Sequence, residues 1–155
     1  MTPPVRAAYG SPIFRRAWEK VLRAMPEKLV DLHGIRAVAL DPYGERIRGE
    51  RDAVDLVGVA LGYDADMLVI PAGRFHDDFF RLSTRVAGDV VLKFQMYRIR
   101  VAVVGDISRH VARSSALRDF VAETNRGDGF WFVATEEELD ARLAARTASG
   151  PATVP

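Results

Sequence analysis

The stretch TRVAGDVVLKFQMYRIRVAVV, residues 84–104, carries two hydrophobic periods in succession. Val86, Ala87, Val90, Val91 and Phe94 recur at the spacing of a helix that buries one face. From Ile99 the pattern changes to the apolar run Ile99-Arg100-Val101-Ala102-Val103-Val104, which Gly105-Asp106 ends. An apolar run without alternation suits a strand covered on both sides of a sheet, the usual condition of parallel strands. The segment therefore reads as one helix–strand unit, with the helix over about 84–97.

The same unit recurs on either side. Upstream, a helix over about Glu50–Leu61 places Ala53, Val54, Val57 and Leu61 toward the core, and Gly62 stops it. Met67-Leu68-Val69-Ile70, bounded by Asp66 and Pro71, is the next buried strand, and Phe79, Phe80 and Leu82 fall in a connecting turn. Downstream, Ser114 or Ser115 caps a helix that turns Leu117, Phe120 and Val121 inward. Asn125-Arg126-Gly127 closes that helix, with Gly127 expected in the left-handed conformation. Phe130-Trp131-Phe132-Val133 is the last strand, and Thr135-Glu136-Glu137-Glu138 reads as the capping box of a final helix. Ahead of all this, Leu29–Leu32 and Ile35–Leu40 form two strands joined at His33-Gly34, a two-residue turn. Repeated helix–strand units imply parallel pairing and right-handed crossovers. The expected fold is an α/β domain over residues 27–146, with a mixed sheet of about five strands covered by helices. It starts with an antiparallel hairpin and continues in parallel βαβ units.

Outside that domain, Ile13, Phe14, Ala17, Trp18, Val21, Leu22 and Met25 recur at helical spacing, with Pro26 as the stop. Residues 1–26 read as a leader plus this amphipathic helix, and 147–155 (TASGPATVP) as a disordered tail. The apolar stripe and basic back of helix 13–25 make it the expected contact for self-association or for a protein partner.

The 155 residues are 48% hydrophobic and 28% charged, the balance of one globular domain. No apolar run approaches the length of a membrane span, so no stable membrane insertion is expected. A formal charge of +1 gives no reason to expect nucleic acid. The absence of cysteine excludes disulfides, thiol catalysis and thiolate metal sites, and agrees with a cytoplasmic location. The chain contains no G-x-x-x-x-G-K, G-x-G-x-x-G, G-x-S-x-G or H-E-x-x-H motif, so neither a catalytic residue nor a cofactor is expected.

Four blocks in order resemble one bacterial family. Ile47-Arg48-Gly49-Glu50-Arg51-Asp52-Ala53-Val54-Asp55-Leu56 is similar to its IRSEQDALDL segment. Asp77-Asp78-Phe79-Phe80-Arg81-Leu82-Ser83-Thr84 with Ala87-Gly88, then Lys93-Phe94, Tyr97 and Ile99, match its second and third blocks. Glu123-Thr124-Asn125-Arg126-Gly127 and Phe130 match its last. The chain resembles the domain of unknown function 4180 family over roughly residues 28–145. The element order in turn resembles the STAS fold of anti-sigma-factor antagonists and of lipid-transport accessory subunits. That resemblance implies a regulatory or protein-interaction module with a phosphorylation switch at the start of the second helix, where Ser83 and Thr84 stand.

Ser83 and Thr84 are therefore the switch candidates, although a hydroxyl at a helix start also serves as an ordinary cap. The ligand or partner candidates are Phe79, Phe80, Lys93, Tyr97, Asn125 and Arg126. Lys93, the only lysine after residue 28, must reach water, pair with an acid such as Asp89, or join Tyr97 and Arg126 around a small anion. A cleft there would make the chain a small-anion or metabolite binder, or a minor enzyme. His76-Asp77-Asp78 reads as a turn capped by an aspartate rather than as a metal site, because sequence neighbours seldom face one centre.

Overall fold

In the strands, successive side chains point to opposite faces, so each strand sorts its residues into two sets. In the computed structural model, which describes residues 27–148, these sets form two separate cores. The strands are β1 (Glu27–Leu32), β2 (Ile35–Leu40), β3 (Met67–Pro71), β4 (Arg100–Val104) and β5 (Phe130–Val133). They lie in one sheet in sequence order, β1-β2-β3-β4-β5. β1 and β2 are antiparallel; every later pairing is parallel. At the hairpin, His33 and Gly34 both have positive φ (53° and 87°), which matches the right-handed twist of the two strands.

Three crossovers of one hand that all step in one direction must place their helices on one face. That face holds α1 (Glu50–Gly62), α2 (Val86–Met96) and α4 (Ser115–Arg126). They bury Val57, Val90, Phe94 and Leu117 against Val38, Leu68, Ile70, Val101, Phe130 and Phe132. Among the described residues, α5 (Glu136–Ala148) alone lies on the other face, where Leu139 and Leu143 pack on Ala37, Met67, Ala102, Trp131 and Val133. A short helix, α3 (Ser108–Arg113), follows β4, and three 3-10 turns (Ala72–Arg74, Asp77–Phe80, Leu82–Thr84) follow β3.

The fold class is the expected one: α/β, with an antiparallel hairpin continued by parallel units. Several local readings are corrected. In α1, Val54 and Leu61 are exposed, because the buried stripe runs through Ala53, Val57 and Ala60. α2 starts at Val86 rather than Thr84; Arg85 takes a left-handed φ of 67° and breaks the chain from the preceding 3-10 turn. Gly127 is extended (φ −88°, ψ −170°) rather than left-handed. The chain leaves α4 directly there, and the Gly127 carbonyl accepts the indole N–H of Trp131 at 2.7 Å. The helix at Ser108–Arg113 is an addition to the expected elements. α5 runs to Ala148, slightly past the expected domain end. The expected helix 13–25 and residues 149–155 lie outside the described residues.

Candidate functional site: an arginine-lined cleft

The loops after β3 and β4 leave the same edge of the sheet, at the carboxyl ends of parallel strands. Ligand sites of open α/β sheets favour this edge, at a point where strand order reverses. Here the order never reverses, so a cleft must be opened by the loops themselves. Gly105, with φ of 150°, allows the loop after β4 to approach Ala72 closely; a Cβ there would lie 2.8 Å from the Ala72 Cβ. The two loops touch at that point and diverge beyond it. Between the turns at 77–84 and α3 they leave a cleft of about 550 Å3, lined by Asp77, Phe80, Arg81, Leu82, Ser83, Arg109, His110, Arg113, Ser114 and Ala116. An adjoining hollow of about 290 Å3 shares Asp77, Phe80, Arg109 and His110 and adds Arg46 and Asp106.

The floor is rigid. Phe80 is buried and stacks flat on His110, with ring centroids 4.2 Å apart and planes at 10°. Phe75, Phe79 and Phe80 interlock beneath it, with Phe79 centroids at 4.3 Å and 5.2 Å from the other two. The walls are charged. Among the described residues Arg81, Arg109 and Arg113 make no ion pair, and all three are exposed. Partial burial lowers the His110 imidazole below its ordinary value of 6.5; the Arg109 charge acts in the same sense and Asp77 against it. On the cleft's rim the Asp106 carboxylate accepts from the Ser108 N–H at 2.9 Å, and its bonds to Ser108 hold its pKa below the ordinary value.

Ser83 and Thr84 have different surroundings. Thr84 Oγ1 lies 2.7 Å from the carbonyls of both Asp78 and Arg81, and accepts from the Val86 N–H at 3.3 Å. Its hydroxyl ties two turns to the start of α2. Ser83 is exposed, lines the cleft, and makes no side-chain hydrogen bond among the described residues. At the preceding turn the cap is His76, whose Nδ1 accepts from the Asp78 N–H at 3.1 Å, and not either aspartate as expected.

The other expected residues are dispersed. Phe79 is fully buried. The Lys93 ammonium lies 3.8 Å from Glu50 at the start of α1, so it joins two helices rather than pairing with Asp89. Tyr97 is half exposed at the end of α2. Arg126 pairs with Glu123 in its own helix at 2.7 Å, an exposed contact of small energy. Asn125 is a clamp: its Oδ1 accepts from the Phe132 N–H at 2.7 Å and its Nδ2 donates to the Phe132 carbonyl at 3.2 Å. Of the expected residues, only Phe80 and Ser83 line the cleft. Arg81 comes from the turns after β3, and Arg109, His110 and Arg113 from α3 after β4, so sequence patterning does not bring the four together. A signal was present: Arg109, His110 and Arg113 are three cationic or titratable residues in one six-residue stretch, Ser108–Arg113.

A family model described as Domain of unknown function (DUF4180) matches residues 32–143. The chain belongs to that family. The match takes in β2 to β5, the last residue of β1 and the whole cleft, so the cleft is part of the DUF4180 domain itself. No curated protein and no solved structure matches the chain. Among the described residues no helix of the DUF4180 domain is long and apolar enough to cross a membrane, and no three His, Asp or Glu groups converge as metal ligands.

Proposed function

We propose that this DUF4180 domain is a non-enzymatic regulatory module of STAS-like type whose recognition element is the arginine-lined cleft. Its ligand is a small molecule bearing phosphate or carboxylate. One observation supports this above the rest: Arg81, Arg109 and Arg113 line one cleft with no acidic partner for any of them among the described residues. A guanidinium holds phosphate and carboxylate bidentately, so three of them around a rigid aromatic floor suit an anion.

A hydrolase is the competing reading, because Ser83, His110 and Asp77 line the same cleft. Nucleophilic catalysis needs the hydroxyl within hydrogen-bond reach of its base and the base oriented by a third group. His110 makes no side-chain hydrogen bond among the described residues; it is held by stacking on Phe80 instead. Binding therefore has the better support. Ser83 adds a regulatory element: a phosphate on its free hydroxyl would occupy the space of the anion and compete with it.

The test is thermal shift and calorimetry with inorganic phosphate, pyrophosphate and citrate. At least one should raise the melting temperature. Arg109→Met and Arg113→Met should each weaken that binding about tenfold or more, since a hydrogen bond to a charged group contributes roughly 1.5–3 kcal/mol. Ser83→Asp should abolish it, whereas Lys93→Met should leave it unchanged. Binding by none of the three anions, or binding that survives both arginine variants, removes the proposal.

A further inference from the structure

The described residues cover the second face of the sheet only in part. α5 lies over β4 and β5, and beside it Val30, Leu32, Ala39 and Val69 floor a groove of about 410 Å3. All four are half-buried rather than buried. The wall formed by α5 carries Glu136, Glu137 and Asp140. Asp140 is engaged by His33 at 2.8 Å, while Glu136 and Glu137 make no ion pair among the described residues. The groove is thus apolar below and acidic on one side.

We infer that residues 13–25 of the same chain fill this groove as a helix. Four observations agree on that occupant. The segment runs to Met25-Pro26, and β1 starts at Glu27, so it is tethered directly to the strand that supplies Val30 and Leu32. Thirteen helical residues span roughly 20 Å, which matches a six-residue strand of about 20 Å. At 3.6 residues per turn, Phe14, Trp18, Val21, Leu22 and Met25 make one apolar stripe, the complement of the groove floor. Arg15 borders the stripe on its Leu22 edge, opposite in sign to Glu136 and Glu137. A partner in solution would compete against a segment whose effective concentration is that of a directly joined module.

The chain contains no cysteine, so an introduced pair reports on itself alone. In the full-length chain, Val21→Cys with Val69→Cys should be joined within one molecule by a short bis-maleimide. The yield should be at least ~10-fold above that of Val21→Cys with Leu92→Cys, an exposed position on α2. Equal yields, no product, or product that joins two chains would overturn the inference; the last would assign the face to a second copy. A second measurement leaves the sheet untouched. Glu136→Lys with Glu137→Lys, both exposed positions, should shift Trp18 emission to the red. The Trp18 signal is taken as the difference from a Trp18→Phe chain. Unchanged emission would also overturn it.

Discussion

His110 shows how a single side chain couples burial to charge. Its ring is stacked on Phe80 and faces Arg109 and Arg113 from its own helix, with Asp77 across the cleft. Loss of water around the ring disfavours the imidazolium, so the folded protein binds that proton less readily than the unfolded chain does. The sign follows from that difference. Stability from this group is fully present above about pH 6.5, the ordinary imidazole value, and is lost as pH falls through the lower folded-state pKa. An NMR titration, assigned with His110→Gln, should find the midpoint of this ring below 6.5 in anion-free buffer. A bound anion should raise it, because the negative charge favours the protonated ring. A midpoint at or above 6.5 without anion would contradict the burial described.

At the scale of elements, the joint between α4 and β5 rests on Asn125. The amide bonds both backbone groups of Phe132, and the carbonyl of Asn125 itself accepts from Arg142 of α5. One residue thereby registers a helix, a strand and the helix on the opposite face. Asn125→Ala should leave a buried N–H and C=O on Phe132 without partners, at a cost of about 1–3 kcal/mol each. The urea midpoint should fall accordingly, while Asn125→Asp, which keeps the acceptor and loses the donor, should fall less. How much was legible in sequence differs between such elements. The strands and α1, α2, α4 and α5 were legible, because each carries an apolar stripe or run of its own. The capping box was legible too: Glu138 N–H reaches Thr135 Oγ1 at 3.1 Å, and Glu138 accepts from Ala134 N–H at 2.6 Å. α3 was not, since none of its residues is buried and a six-residue segment shows little periodicity. Asn125 was singled out, but its role needed knowledge of which strand lies beside α4, and that is a tertiary fact. The cleft was illegible for the same reason: Arg81 stands in the turns after β3 and Arg109 on α3, which follows β4.

For the whole molecule, the larger core is organised around Phe79, which lies within 6.4 Å, centroid to centroid, of Phe75, Phe80, Phe130 and Phe132. It is fully buried and links the turns beneath the cleft to the last strand. Phe79→Ala should destabilise the fold by about 3–5 kcal/mol in chemical denaturation. Phosphate binding should weaken with it, because the cleft floor loses its support. If stability drops by less than about 1 kcal/mol, the ring cluster does not organise this core.

The strand order also bears on how the molecule comes into being. Each strand pairs with the one before it in the chain, so during synthesis every new strand meets an edge that is already complete. Loop closure between successive neighbours is short-range, which favours rapid formation over topologies that must pair distant segments. The hairpin can serve as a template for β3, β3 for β4 and β4 for β5, with α5 arriving last to clasp the opposite side. A ribosome-bound chain arrested after α2 would already own the first three strands and two of their covering helices.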